Sequence, residues 1–394
     1  MLVRSGIYLD SNAGAPLRLE VTEALLPFLK GNGGIIANPS SIHSHGRIAK
    51  RAMAEAREQI VRSLGERIDP EQFLFTSSGT EANQLSVRSV LESHLILHKK
   101  PHWITTAVEH DSNRQMVSWL EQHGGSVTLL PVSPEGIPQV ENLASLMRPE
   151  TALVSVLWVN NETGVITPIQ KFSELTQLKG IPLHVDAAQA WGKLPIDLET
   201  LGAQWVTFSG HKIGGIAGTG GLWLAPGQVT SAVLLGKQEK GRRGGTENLL
   251  GIIACGAAAR SLEPLSWSVR VARLRDRLEK VICERIPGTE VNGQGADRIA
   301  NTLNLNFEGV EGDGLVMALD LAGYSVSSGS ACSSGVLEPS HVLLAMGRTR
   351  MQSMAAIRVS LTDELAWELL EGFVITLEKV VSRVRGSNRS RSDF

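Results

Sequence analysis

The sequence predicts an α/β protein: a mostly parallel, seven-stranded sheet with helices on both faces, joined to a smaller α+β unit. Three observations carry that prediction. From about residue 40 to 260, short apolar runs alternate with segments of helical periodicity, the pattern of parallel strands joined by crossover helices. Beyond about residue 260 the strands come fewer and closer together. The length, 394 residues, exceeds what one ordinary core serves. The expected division is a large unit over 15–260 and a small one built from 1–14 and 261–394.

The elements follow in order. Ile48, Ala52, Ala56 and Ile60 recur at helical spacing and predict an amphipathic helix. Residues 73–76 read as a strand and 79–91 as a helix with Thr80 near its start. A strand over 103–107 leads to a helix over 112–122, which Gly124 and Gly125 end. Further strands are read at 126–131, 152–157, 183–186, 205–209 and 221–225. In the small unit a charged amphipathic helix covers 269–285. Then come a strand at 302–307, a helix at 312–321, strands at 326–328 and 357–361, and a last helix from Glu364.

Composition narrows the function classes. With 38 basic against 40 acidic residues and a net charge of −2, nothing attracts a polyanion, so no nucleic-acid partner is expected. The basic tail, Arg383, Arg385, Arg389 and Arg391 among serines, reads as a solvated terminus. No run approaches the ~18 apolar residues of a membrane span, and the first residues lack the apolar stretch of a signal peptide. Three cysteines, Cys255, Cys283 and Cys332, show no zinc spacing and no disulfide framework, which points to a reducing, cytoplasmic setting. Cys255 and Cys283 fall on expected helices among apolar neighbours and are assigned to the core.

In an open α/β sheet, ligands sit beyond the carboxyl ends of the strands. Four polar clusters fall there: Thr76 to Glu81, Glu109-His110, Asp186 to Gln189, and Ser209 to Lys212. Ser78, Gly79 and Thr80 open a helix whose free N–H groups favour a phosphate, although a serine there also serves as a plain cap. Asp186 ends an apolar strand and needs a partner; a protonated pyridine nitrogen or the next helix start would supply one. Lys212, beside His211 and ahead of a glycine run, is placed to form a Schiff base, against the ordinary reading of a surface lysine. His110 is a catalytic candidate, to lie over an aromatic ring or relay protons, or else a structural histidine. Asn161, after another strand, is read as a ring or substrate contact or as part of an Asn-rich turn. Arg358 is a lone charge in a strand, suited to a substrate carboxylate and nearly as well to a salt bridge. Cys332 lies among small residues, Ser327 to Gly335, as an exposed and therefore reactive thiol would. The residues alone reach a phosphate-bearing, lysine-bound cofactor with a nearby thiol.

At those motifs the chain resembles the cysteine desulfurases of the NifS/IscS type, within the class V aminotransferase-like enzymes of fold type I. The likeness runs from Ile7 to about Leu361 and rests on Asn38-Pro-Ser-Ser, Ser78-Gly-Thr-Glu, Glu109-His, Val159-Asn-Asn-Glu, His184-Val-Asp-Ala-Ala-Gln, Ser209-Gly-His-Lys, the run from Gly241 to Asn248, and Ser327-Ser-Gly-Ser-Ala-Cys. The resemblance implies pyridoxal 5′-phosphate held by Lys212, which also moves the Cα proton. It implies Asp186 on the pyridine nitrogen, His110 stacked on the ring and Gln189 on its phenolic oxygen. Gly79, Thr80, Ser209 and His211 would hold the phosphate, with Thr246 reaching that of the other subunit of a homodimer. Arg358 and Asn161 would hold the carboxylate of L-cysteine, and Cys332 would take the sulfur as a persulfide. An acceptor protein, an iron–sulfur scaffold or a thiolation carrier, would then receive it. A selenocysteine lyase or other class V lyase is the alternative within the resemblance, and a non-catalytic binding partner that keeps the fold the alternative outside it. The chain departs from the family pattern at Gly14 and Ala15, where hydroxyl residues are usual, at Leu234-Leu235-Gly236, and in the basic segment 348–355.

Overall fold

The computed structural model describes residues 6–30, 36–97, 99–310, 314–328, 338–363 and 365–392. Cys332 lies outside the described residues. In chain order the elements are β1 (Ile7–Tyr8), α1 (Leu19–Leu29), α2 (Ser44–Arg62), β2 (Phe73–Thr76), α3 (Gly79–Ile96), β3 (His102–Thr106), α4 (Asp111–Gln122) and β4 (Ser126–Leu130). Next come α5 (Leu143–Leu146), β5 (Thr151–Leu157), α6 (Ile169–Lys179), β6 (Leu183–Asp186), α7 (Leu198–Leu201), β7 (Trp205–Ser209), β8 (Gly220–Leu224) and α8 (Leu249–Arg260). The rest are α9 (Pro264–Arg285), β9 (Thr289–Val291), β10 (Thr302–Phe307), α10 (Gly314–Leu321), β11 (Tyr324–Ser325), β12 (Ser327–Ser328), α11 (His341–Ala345), α12 (Arg350–Ala355), β13 (Ile357–Ser360) and α13 (Trp367–Ser392).

The large sheet has seven strands in the order β2-β8-β7-β6-β5-β3-β4. Only β8 runs against the others, being antiparallel to both β2 and β7. The carboxyl ends of six strands therefore share one edge, at Thr76, Thr106, Leu130, Leu157, Asp186 and Ser209. Side chains alternate between the faces, as the pleat requires. Phe73, Phe75, Val206 and Phe208 join a core under α2 and α8, while Leu74, Trp103, Leu153 and Trp205 join one under α3 and α4. The α2–α8 crossing is close because Gly256 has no side chain: a Cβ there would lie 2.6 Å from Ala56 Cα.

A third core packs α9, α10 and α13 on an antiparallel four-stranded sheet, β12-β13-β10-β9. The N-terminal β1 pairs in parallel with β11, so Leu9 belongs to this core, and Asp10 bridges to Ser360. The next residues then cross to the edge of the large sheet. Among the described residues no single helix is long and apolar enough to cross a membrane; the bent pair α8 and α9 qualifies on length and composition alone, and α8 is buried.

Several expectations need correcting. Cys283 is exposed rather than buried, because the inward stripe of α9 is Val271, Arg275, Leu278 and Ile282, and residue 283 turns off it. Ile48 is 58% exposed; α2 buries Ala56 and Ile60 as expected, but turns Gly46 and Ala49 inward at its start in place of Ile48. Helix α9 begins at Pro264, five residues early, since proline suits a first turn. The last helix begins at Trp367 rather than 364. Helix α1 carries Pro27 inside it, which hid its periodicity.

Candidate active site

Four of the strand ends at the sheet edge carry polar clusters, several of them joined by hydrogen bonds. Asp186, 2% exposed at the end of β6, accepts from Asn83 Nδ2 at 2.6 Å and from the Ala188 amide at 2.9 Å. Asn83 Nδ2 also donates to Ser112 Oγ at 2.8 Å, and that hydroxyl lies 2.9 Å from His110 Nδ1. His110 caps α4, accepting from the Ser112 amide at 3.1 Å, which orients its exposed ring. Asp186 and His110, read separately from sequence, are thus two ends of one hydrogen-bonded chain.

Helix α3 opens on the same edge. Ser78 Oγ accepts from the Glu81 amide at 3.1 Å, and the first intrahelical bond runs from Ala82 N to Ser78 O. The amides of Gly79 and Thr80 precede it and face outward, where the helix dipole favours an anion. Ser209 stands against them: a Cβ on Gly79 would sit 3.2 Å from Ser209 Cβ. Ser209 Oγ lies 3.1 Å from His211 Nδ1, and burial, with the Lys212 charge, lowers the His211 pKa to about 4. Gly220 backs the cradle, since a Cβ there would meet the Ser78 carbonyl carbon at 2.3 Å.

Lys212 follows β7 in a short 3-10 turn. Its Nζ donates to the main-chain oxygens of Asn12 at 2.6 Å and Ala13 at 2.9 Å. Burial and Arg358 pull its pKa down to about 8, against the opposing pull of Asp10 and Asp186. Asn12, 1% exposed, is a junction that sequence reading missed. Its carbonyl also accepts from Gln189 Nε2 at 2.9 Å, and its side chain meets Lys193, Asn301 and Thr302.

Arg358, buried in β13, donates to Asp10 Oδ1 at 2.6 Å and to the Asn161 carbonyl at 2.9 Å, while its buried Nε has no partner among the described residues. Ser327 of β12 pairs with Arg358, so the strand leading toward residue 332 runs beside it. Asn161 contributes its carbonyl to Arg358 and Asn12; its side chain is half-buried. Thr246 lines a cavity with Thr76, Ser77, Thr219 and Arg243, beside the loop that leads into α3.

Two carboxyls lie directly behind the site. Glu109 accepts from Thr106 Oγ1, the Leu157 amide and Asn113 Nδ2 at 2.6, 2.9 and 3.1 Å. Burial nevertheless raises its pKa to about 7. Glu162, also lifted to about 7 by burial, accepts from Ser340 Oγ at 2.5 Å. His341, next to Ser340, places Nε2 2.9 Å from the Glu109 carbonyl.

These residues fit a ring that carries a phosphate. The amides at the start of α3 and the Ser209 hydroxyl suit the phosphate, a buried carboxylate suits a protonated ring nitrogen, and the Lys212 amine lies near enough to Asp186 to feel its charge. Arg358 carries a buried positive charge at this edge, tied to Asp10 and the Asn161 carbonyl.

Residues 7–365 match the family described as aminotransferase class-V. Over 393 residues the chain is 39% identical to a cysteine desulfurase of Trichormus azollae, covering 99% of this chain and 96% of that protein. It is 38% identical to the cysteine desulfurase NifS of Azotobacter vinelandii, covering 96% of this chain and 93% of that protein. A solved NifS-like protein superimposes with a TM-score of 0.87 at 30% identity, covering 96% of this chain and 99% of that one.

Proposed function

The chain belongs to the aminotransferase class-V family, and from that premise we propose that it is a pyridoxal-phosphate-dependent cysteine desulfurase that converts L-cysteine to L-alanine. The observation that carries this reading is the joining of Lys212, Asp186 and the α3 helix start at one sheet edge in a chain similar to cysteine desulfurases over nearly its whole length. When bound, pyridoxal phosphate supplies an electron-withdrawing ring that acidifies the Cα–H of an attached amino acid and loosens its Cβ–S bond.

The chain's own groups do the rest. Gly79, Thr80, Ser209 and His211 hold the phosphate, and His110 covers the ring. Asp186 keeps the ring nitrogen protonated, its carboxylate fixed by Asn83 and the Ala188 amide. Lys212 would hold the cofactor, and its Nζ would take up and return the Cα proton. A pKa of about 8 leaves roughly a tenth of the amine unprotonated at neutral pH, far more than an exposed lysine offers. Gln189 meets the phenolic oxygen. Arg358 and Asn161 would hold the substrate carboxylate. Cys332, as thiolate, attacks the substrate sulfur: an S–S bond forms, Cβ–S breaks with its electron pair left on carbon, and a proton there completes alanine. The persulfide sulfur then passes to an acceptor protein.

The finer parts of the reading belong to the same proposal. Thr246, exposed beside the loop that leads into α3, suits a homodimer in which it reaches the partner's phosphate. The division into units over 15–260 and over 1–14 plus 261–394 is part of the proposal; the core that holds Leu9 together with Val271 to Val381 supports it. A cytoplasmic setting fits free thiols at Cys255 and Cys283, and an iron–sulfur scaffold or thiolation carrier fits as the acceptor. Incubation with L-cysteine should yield alanine and a persulfide on Cys332 by mass spectrometry. Full-rate sulfide release by Cys332→Ala would overturn the persulfide route, and an unchanged cofactor absorbance in Lys212→Ala would overturn the anchor.

A further inference from the structure

Lys193 is 5% exposed and has no task in the chemistry above. It follows β6, one helical turn beyond Gln189. Its Nζ donates to Gln189 Oε1 and, at 2.9 Å, to Asn12 Oδ1. Gln189 Nε2 in turn donates to the Asn12 carbonyl at 2.9 Å, the same oxygen that accepts from Lys212 at 2.6 Å. A carbonyl only accepts, so the Gln189 amide must keep its NH2 toward Asn12. The lysine offers N–H to the other end. Burial and the charges of Lys212 and Arg358 press its pKa well below 10.5, yet even a neutral amine keeps two N–H groups for its two oxygen acceptors. Both ends of the amide are therefore fixed, and one N–H of Gln189 Nε2 is left to spend.

We infer that Lys193 is a positioning residue for the cofactor: by holding Gln189 Oε1 it commits the spare Gln189 N–H to the phenolic oxygen of pyridoxal phosphate. This rests on the reading that Lys212 anchors the cofactor and that Gln189 meets that oxygen. The task needs a donor that stays inside, which explains why a lysine is buried where a carboxylate partner is lacking. A hydrogen bond to the phenolic oxygen stabilises its anionic form, so the pH midpoint of the bound cofactor's visible absorbance reports it.

The test is a pH titration of that absorbance in the holoprotein, for wild type, Lys193→Met, Gln189→Leu and the double variant. Loss of one hydrogen bond to a charged group should raise the midpoint by about one unit or more in Lys193→Met. Gln189→Leu should raise it similarly, and the double variant should go no further than Gln189→Leu alone. A wild-type midpoint in Lys193→Met, or additive shifts in the double variant, would overturn the inference. Should Lys193→Met fail to fold, Lys193→Gln, which shortens the reach, must shift the midpoint in the same direction. An absorbance band that survives Lys212→Ala unchanged would instead defeat the anchor reading, leaving the two failures distinguishable.

Discussion

Replacing Glu162 by Gln tests how the fold treats a carboxyl that it has cut off from water. Glu162 is 3% exposed, and Ser340 Oγ donates to it at 2.5 Å. Burial lifts its pKa from 4.5 to about 7, with the Ser340 bond and Arg358 pulling the other way and Asp111 adding to the rise. A carboxyl whose folded pKa exceeds its unfolded one lends stability that is complete below 4.5 and lost as the pH climbs through 7. At about 1.4 kcal/mol per unit, the change across that window is about 3 kcal/mol. Melting entropy scales with chain length, so for a chain of this size it corresponds to roughly 3–5 °C. Glutamine keeps the shape and an acceptor for Ser340 but has no proton to lose. Differential scanning calorimetry between about pH 5 and about pH 8 should show the wild-type midpoint falling by that amount relative to Glu162→Gln. Parallel curves would mean that the carboxyl stays ionised throughout, and the burial argument would be wrong.

Other substitutions probe the remaining parts of the site. In cofactor-free protein, acylation of Lys212, followed by peptide mass spectrometry, should reach half its limiting rate near pH 8, because the free amine predominates above its pKa; a midpoint near 10.5 would refute the burial of Nζ. Asn83→Ala removes the 2.6 Å donor from Asp186 and should weaken cofactor binding about 10-fold or more in equilibrium dialysis. Gly220→Ala would drive a Cβ to 2.3 Å from the Ser78 carbonyl carbon and should lose both solubility and cofactor, whereas Gly314→Ala, with nothing within 4 Å among the described residues, should melt as wild type does.

Much of this was legible because strand ends are written in the sequence. An acid closing Leu183-His-Val, or a lysine three residues after Ser209, breaks an apolar run at the point where the strand must stop. The fold type followed from the alternation of such runs with helices. Asn12 and Lys193 were not legible, because their partners come from strands and turns more than a hundred residues away or from an amide that looks ordinary in sequence. Asn83 was hidden differently: it lies on the inner face of α3, where only the neighbouring β6 shows that its partner is a carboxylate. Cys283 and Ile48 were misplaced because periodicity gives the width of a helical stripe more surely than its phase. The proposed role of Cys332 rests on its sequence setting, since it lies outside the described residues.

The parallel pairing of Ile7–Tyr8 with Tyr324–Ser325 sets a timetable for biosynthesis. The segment that supplies the Asn12 and Ala13 carbonyls to Lys212 leaves the ribosome early, yet its strand partner emerges some three hundred residues later. At about 5–20 residues per second the early segment waits roughly 15–60 s for that partner. The large sheet can assemble in the interval, but Lys212 is seated only after β11 and β13 exist. Cofactor loading is thereby deferred until translation is nearly finished, and a stalled, shortened chain would carry a formed sheet without a formed lysine seat.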